Sequence, residues 1–129
     1  MTLLLDSTVL IDVLRGRPAA GRLRLLAATG TPLLTTAINV EEILRGLRST
    51  EESAADALLA ALRVLPLRGQ DGVMAGRWRR DHAGRGMTLS QADCLIAACA
   101  VGFGARLATG NVADFPMDDL VVEHWPVGR

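Results

Sequence analysis

Short apolar runs alternate with longer segments of helical periodicity, and this alternation restricts the fold more than any other feature of the chain. Apolar runs typical of buried strands occupy residues 2–5, 32–35, 64–67, 106–109 and 120–122. Segments with apolar residues at helical spacing lie between them, at about 7–14, 19–28, 40–47, 51–62, 71–82 and 90–101. Strands that alternate with helices predict an α/β fold with a largely parallel sheet. The length of 129 residues predicts that the chain 1–129 forms a single domain of this kind.

The basic residues exclude several classes of enzyme. The chain has 14 basic residues and none of them is lysine. A P-loop NTPase, a Schiff-base enzyme and a receiver domain all need a lysine amine, so these classes are excluded. The 14 acidic residues balance the arginines, so the net charge does not by itself indicate a nucleic-acid-binding protein.

No pattern in the sequence indicates disulfides, secretion or a membrane span. Cys94 and Cys99 lie in an apolar run without a histidine at metal-ligand spacing, which predicts two reduced core residues. Asp6 interrupts the first apolar run, so we expect no signal peptide. The longest apolar segment, residues 94–101, is too short to cross a bilayer. We therefore expect a soluble, cytoplasmic protein with no membrane partner.

Four carboxylates occupy positions that converge in a parallel sheet. Asp6 and Asp114 follow the first and fourth predicted strands, and the ligand crevice of such a sheet lies beyond the carboxyl ends of its strands. Glu42 and Asp93 lie in the first turns of predicted helices, which begin at the same edge. Four carboxylates gathered there repel one another unless they share a cation. Oxygen ligands without His or Cys point to Mg²⁺, with Mn²⁺ as a possible substitute.

Helix capping is the alternative interpretation of three of these acids. Asp6 could help to cap the first helix, and Glu42 is three residues after a possible N-cap, Asn39. Asp93 is likewise three residues after a predicted N-cap, Ser90, and is placed to interact favourably with the dipole of that helix. The apolar residues that follow Asp93 directly, however, indicate a buried helix. Asp114, taken alone, is an ordinary loop acid.

Four segments resemble the motifs of PIN-domain ribonucleases, specifically the VapC-type toxins of toxin–antitoxin pairs. Residues 5–12, Leu-Asp-Ser-Thr-Val-Leu-Ile-Asp, resemble the opening of that family. Residues 42–46, Glu-Ile-Leu-Arg-Gly, resemble its central Glu-Leu-x-x-Gly motif. Residues 93–100 resemble its Asp-x-x-Ile-Ala-x-x-Ala helix, and residues 109–115 its closing Thr-x-Asn/Asp-x-x-Asp-Phe loop. The four segments occur in the family's order and extend over nearly the whole chain.

The resemblance implies a three-layer sandwich, with a mostly parallel sheet between helices, and a Mg²⁺-dependent endoribonuclease. As the toxin of a type II pair, it would hydrolyse RNA phosphodiester bonds, in tRNA or rRNA, and so restrain translation and growth. The resemblance assigns the metal site to Asp6, Glu42 and Asp93. Many relatives carry an Asp at the position of Asn111, so the fourth catalytic role falls either to Asp114 or to Asn111. Asn111 and Thr109 would then contact a metal-bound water or the substrate.

The implied partners are an RNA substrate, a VapB-like antitoxin protein and a second copy of the chain. The toxins of this family form homodimers, and heterotetramers or larger assemblies with the antitoxin. The leucine-rich segment 54–62 could serve either interface, or could be part of the core.

An arginine-rich segment in the second half of the chain could bind RNA. Arginine guanidinium groups bind phosphates well, and the neighbouring Trp78 could stack on a base. The alternative is an exposed helix face for which Trp78 is the core anchor. We expect His82 and His124 to be surface or structural residues, and Met74 and Met87 to fill the core. The candidate RNA-binding residues are Arg77, Arg79, Arg80 and Arg85.

Two other functions fit an α/β domain with these acids. A phosphatase or phosphotransfer domain with Asp6 as nucleophile needs an Asp at position 8, which is Thr8 here, and a lysine, which the chain lacks. The second is a PIN-like interaction module without activity. The presence of all three pocket acids argues against that module, because a decayed site tends to lose its acids.

Overall fold

The computed structural model describes residues 2–128, and its central feature is a five-stranded, fully parallel sheet. The order of the strands across the sheet is β3-β2-β1-β4-β5. The strands are β1 (Leu3–Leu5), β2 (Leu33–Thr36), β3 (Arg63–Leu65), β4 (Arg106–Thr109) and β5 (Val122–His124). The central strand β1 is buried on both faces, as expected where helices cover both sides of a parallel sheet.

Helices cover the two faces of the sheet and form the outer layers. Their bounds are α1 (Ser7–Leu14), α2 (Pro18–Ala28), α3 (Ala37–Arg45), α4 (Glu52–Ala60), α5 (Gly69–Ala83) and α6 (Gln91–Gly102), and two 3₁₀ turns span Ser49–Glu51 and Val112–Asp114. Leu3 and Leu5 pack against α1, α2 and α3, whereas Leu4 packs on the opposite face against α5 and α6. Successive side chains of a strand point to opposite faces, so a run of three leucines supplies both cores. The predicted three-layer α/β fold is confirmed.

Helix α3 and strand β5 are each displaced by two or three residues at both ends from their predicted positions. Helix α3 begins at Ala37 rather than near Val40, because Thr36 at the end of β2 caps it. Strand β5 begins at Val122, where it pairs with Leu107 of β4, and not at residue 120. The pairing register of the sheet, which the local pattern does not contain, decides both boundaries.

Several predicted core residues can be compared with their observed burial. Trp78 is buried in the core beneath α5, so the alternative that it stacks on a nucleotide base is wrong. Met74 packs against the same core, whereas Met87 is 46 % exposed, which corrects its prediction as a core residue. The His82 ring lies 2.8 Å from the Trp78 carbonyl oxygen, and His124 is exposed in β5, in line with structural and surface roles.

Both cysteines are free thiols in the core, as predicted. Helix α4 buries Ala55 completely and half-buries Leu58 and Leu59 against the core. That leucine-rich segment therefore has a packing role. Within the described residues, no helix combines the length and the apolar character that crossing a membrane requires.

Candidate active site

The four predicted carboxylates meet at the carboxyl edge of the sheet. β1 ends directly before Asp6, and β4 ends before the loop that carries Asp114. Glu42 projects from α3 and Asp93 from the first turn of α6. Together they line a cavity of about 230 Å³. The residues around it are Asp6, Ser7, Thr8, Ile11, Glu42, Arg45, Asp93, Asn111 and Asp114.

Side chains from three different elements hold the Asp6 carboxylate in place. Thr109 donates its hydroxyl hydrogen to Oδ2 at 2.7 Å, and Thr8 donates to the same oxygen at 3.3 Å. The Asn39 amide donates to Oδ1 at 3.2 Å. Asp6 does occupy the N-cap position of α1, but its side chain makes no capping hydrogen bond. Its carboxylate is therefore held towards the cavity rather than used by the helix.

A chain of hydrogen bonds connects Asp6 to Glu42. The Asn39 amide also donates to the Ser7 hydroxyl oxygen at 2.9 Å, and Ser7 donates to Glu42 Oε1 at 2.8 Å. Asn39 is fully buried and is the third residue of α3, where it completes a capping box with Thr36. The prediction that Asn39 is the N-cap is therefore wrong. Glu42 lies too far along the helix to cap it, so its carboxylate is free for the cavity.

The pKa of Asp93 is raised by its surroundings in the cavity. Burial raises the pKa of the Asp93 carboxyl, and a hydrogen bond with the Ser90 side chain partly opposes that effect. The negative charges of Asp114, Asp6 and Glu42 raise the pKa of Asp93 further. Ser90 caps α6 as predicted, with its hydroxyl oxygen accepting from the Asp93 N–H at 3.0 Å. The negative charges of the other three carboxylates therefore act on Asp93, and a cation bound in the cavity would relieve that repulsion.

The loop after β4 completes the rim of the cavity. Asn111 and Asp114 are exposed there, and the Asp114 N–H donates to the Asn111 carbonyl oxygen at 3.0 Å. Thr109 is fully buried and does not line the cavity. Its hydroxyl oxygen accepts from the Asn111 N–H at 3.1 Å while it donates to Asp6. This geometry replaces the predicted contact of Thr109 with water or substrate by a positioning role.

The arginines predicted to bind RNA lie outside this cavity. Arg77 and Arg85 line two separate surface depressions beside Trp78. Arg79 donates from Nε to the Leu89 carbonyl oxygen at 3.1 Å, which ties it to the segment before α6. Arg80 is exposed on α5. If these residues bind RNA, they contact it away from the carboxylates.

The sequence analysis missed four polar residues of the site. Thr8 donates to Asp6 and lines the cavity. Ser7 and Asn39 connect the carboxylates, and Arg45 lines the cavity as a basic residue one turn after Glu42. The signal for Arg45 was its three-residue spacing from Glu42, which places both side chains on one side of a helix. Nothing in the local sequence distinguishes the bridging role of Asn39 from an ordinary cap.

The oxygen atoms that line the cavity are ligands that suit a hard divalent cation, but they are not fully arranged around one metal position. Carboxylate, amide and hydroxyl oxygens are available, and neither His nor Cys lines the cavity. Among residues 2–128, no three acidic, His or Cys side chains are disposed to coordinate one ion together. Mg²⁺ commonly takes only one or two carboxylates directly and retains water on its other positions. Asp6 and Asp93 as direct ligands fit that pattern, while Glu42 remains hydrogen-bonded to Ser7.

Comparisons with known proteins identify the family of the chain. The family model described as "PIN domain" matches residues 3–115. Ribonuclease VapC19 of Mycobacterium tuberculosis is 37% identical over 120 residues, which cover 88% of this chain and 92% of that relative. Ribonuclease VapC10 of the same species is 38% identical over 119 residues, covering 89% and 86% of the two chains.

Solved structures support the fold independently. A chain in the crystal structure of VapBC2 from Rickettsia felis, bound to a DNA fragment from its promoter, superposes with a TM-score of 0.86 and 22% identity. The match covers 97% of this chain and 99% of that one. The chain therefore belongs to the PIN-domain family and, within it, to the VapC ribonucleases.

Proposed function

We propose that this VapC-type ribonuclease is a Mg²⁺-dependent endonuclease, with Mn²⁺ as a possible substitute, and that it acts as the toxin of a VapBC-like pair. The observation that carries the proposal is the convergence of Asp6, Glu42, Asp93 and Asp114 on one cavity. The substrate is RNA, with tRNA or rRNA the expected class, and its cleavage restrains translation and growth. Such substrates place the activity in the cytoplasm.

The carboxylates would hold the metal and handle the proton of the attacking water. Mg²⁺ held there would supply positive charge to offset the negative charge that develops on the phosphate oxygens, and would lower the pKa of the attacking water. Asp6 is suited to be a fixed ligand because three side chains orient its carboxylate. Asp93 faces the same cavity from α6, and burial together with the nearby negative charges raises its pKa, so a bound cation would favour its ionised form.

Glu42 is placed either to complete the ligand set or to take the proton from water. Its Oε1 accepts the Ser7 hydrogen bond, which fixes the side chain and leaves Oε2 for one of these tasks. As the water oxygen bonds to phosphorus, the bond from phosphorus to the leaving ribose oxygen breaks, and that oxygen takes a proton from solvent. Asp114 and Asn111, exposed on the rim, are the candidates for the fourth position and for holding a water.

The remaining proposals concern partners. Arg77, Arg79, Arg80 and Arg85 are proposed to contribute to RNA binding along α5 and the segment that follows it. A VapB-like antitoxin, a homodimer and a heterotetramer or larger complex with the antitoxin are the proposed assemblies. The solved VapBC complex from Rickettsia felis supports this proposal, since one of its chains shares the present fold. An inactive interaction module is disfavoured, because such a protein has no need to hold buried Asp6 with three donors.

The decisive experiment combines metal removal with carboxylate substitution. The purified chain, free of any antitoxin, is incubated with total RNA or tRNA in Mg²⁺ or in EDTA. We expect the wild type to cleave RNA in Mg²⁺ and not in EDTA. We expect the variants Asp6→Asn and Asp93→Asn not to cleave RNA in either condition. The control is Asp56→Asn. Asp56 is exposed on α4, so this variant should cleave RNA like the wild type. Cleavage that persists in EDTA and in both site variants would overturn the proposal.

A further inference from the structure

One residue that lines the cavity, Arg45, is basic, and the proposed metal site gives it no role. Arg45 is in the last turn of α3, three residues after Glu42, so the two side chains rise from one side of the helix. Of the nine residues around the cavity in the described chain, Arg45 is the one basic residue. A guanidinium group thus borders a site that is otherwise acidic or neutral.

In the part of the chain that the structure describes, Arg45 forms no ion pair that would account for its position. Within residues 2–128, no carboxylate lies within 4.0 Å of its guanidinium group. Glu42 has the spacing for a helical ion pair, but its Oε1 accepts from Ser7 at 2.8 Å instead. By contrast, Arg17 and Arg68 are bound to the buried carboxylates of Asp12 and Asp71. The guanidinium group of Arg45 is therefore exposed and available to an anion from outside.

An RNA strand meets an electrostatic obstacle at this cavity. Its phosphates are repelled by the same carboxylates whose negative charges raise the pKa of Asp93. A cation bound between those carboxylates compensates at one phosphate, but the neighbouring phosphates of the strand need another positive group. A guanidinium group binds two phosphate oxygens at once through parallel N–H donors, which also fixes the direction of the strand.

We propose that Arg45 binds a phosphate of the RNA strand next to the one that is cleaved, and so sets the register of the strand in the cavity. This inference rests on the proposed ribonuclease function. It assigns the substrate contact nearest the carboxylates to α3, whereas the arginines of α5 contact RNA farther away.

Binding can be measured separately from cleavage. In an Asp93→Asn background, which blocks cleavage, the affinity for a short fluorescent single-stranded RNA is measured by anisotropy in Mg²⁺ at several salt concentrations. We expect Arg45→Gln to raise the Kd for RNA by about tenfold, which is the effect of losing one charge-assisted hydrogen bond. The slope of log K against log salt should fall by about 0.7, the value for one phosphate contact to a single strand. Arg45→Lys should keep the wild-type slope but bind RNA less tightly than the wild type and more tightly than Arg45→Gln. Lysine keeps the positive charge but lacks the two parallel N–H donors of the guanidinium group.

The controls separate a phosphate contact from a structural role. Arg24→Gln, an exposed arginine on α2 away from the cavity, should leave Kd and slope unchanged. In the otherwise wild-type chain, Arg45→Gln should keep the melting temperature and the affinity for Mn²⁺ without RNA, measured by calorimetry. A lower melting temperature or weaker Mn²⁺ binding would show that Arg45 organises the carboxylates, and would overturn the inference.

The two proposals fail in different ways. If the wild type cleaves RNA with Mg²⁺ and Arg45→Gln binds RNA with unchanged Kd and slope, the inference about Arg45 is wrong and the ribonuclease function stands. If the wild type does not cleave any RNA with Mg²⁺ or Mn²⁺, the proposed function itself fails, and the role of Arg45 fails with it.

Discussion

The hydroxyl of Thr109 offers the sharpest test of how the site is held together. Thr109→Val replaces the hydroxyl with a methyl group of similar shape, so the fully buried side chain keeps its packing at the end of β4. The substitution removes the hydrogen bond to Asp6 Oδ2 at 2.7 Å and the acceptor for the Asn111 N–H at 3.1 Å. It changes no group that contacts substrate, so any effect on cleavage must act through Asp6 or the loop.

The expected loss follows from the chemistry of the two bonds. A short hydrogen bond from a hydroxyl to a carboxylate contributes about 1.5–3 kcal/mol. The Asn111 N–H lies at an exposed residue, where water can replace the lost acceptor at little cost. The free energy of unfolding should therefore fall by about 2 kcal/mol, which lowers the melting temperature by about 8 °C for a domain of this size. If the less firmly held Asp6 raises the activation free energy of cleavage by about 1.4 kcal/mol, kcat/KM falls about tenfold.

The matched control is Thr35→Val in the neighbouring strand β2. Thr35 is also fully buried, and its hydroxyl donates to the Leu5 carbonyl oxygen at 3.0 Å. Neither Thr35 nor Leu5 lines the cavity, and this bond does not involve the Asp6 carboxylate. We expect it to lose about 1 kcal/mol of stability, as for a neutral hydrogen bond, with no change in kcat/KM. Thermal unfolding, calorimetric Mn²⁺ affinity and cleavage of RNA are measured for both variants at one pH and salt concentration.

The reasoning is refuted by either of two results. If Thr109→Val is destabilised but cleaves RNA as fast as the wild type, Asp6 does not depend on this bond for its function. If Thr35→Val loses as much activity as Thr109→Val, the effect comes from the strength of the sheet rather than from the site.

Three further predictions concern single residues. Because Glu42 does not cap α3, Glu42→Gln should keep the melting temperature and lower kcat/KM at least tenfold, whereas the exposed neighbour variant Glu41→Gln should change neither. Burial alone would raise the pKa of Asp71, but hydrogen bonds from Arg68 outweigh it and hold that pKa below its usual value. Asp71 therefore stabilises the fold above about pH 4, its ordinary pKa, and this advantage over Asp71→Asn in denaturant unfolding should disappear as the pH falls below that value. Burial raises the pKa of the Cys99 thiol to about 12, so a disulfide reagent at pH 8 should modify it only after unfolding, and rapid reaction in the native state would contradict its burial.

Capping shows where reasoning from the sequence reaches its limit. Ser90 was identified as the cap of α6 because an apolar helix follows it directly, and the structure agrees. The cap of α3 was assigned to Asn39, although Thr36 has that role. Thr36 also pairs with Leu65 of β3, so the end of strand β2 and the start of the helix depend on sheet register. A short polar residue can cap at either position, and local chemistry does not choose between them.

The sequence by itself determined the α/β class, the order of the elements and the carboxylates that follow strands or begin helices. These features are local, because hydrophobic periodicity and the residue types at strand ends are properties of short segments. The tertiary structure alone decided that Asn39 and Ser7 connect Asp6 to Glu42, that Thr109 lies beneath the cavity, and that Arg45 borders it. Such contacts join residues far apart in the chain, and they exist only once the parallel register of β1, β2 and β4 brings their carboxyl ends together.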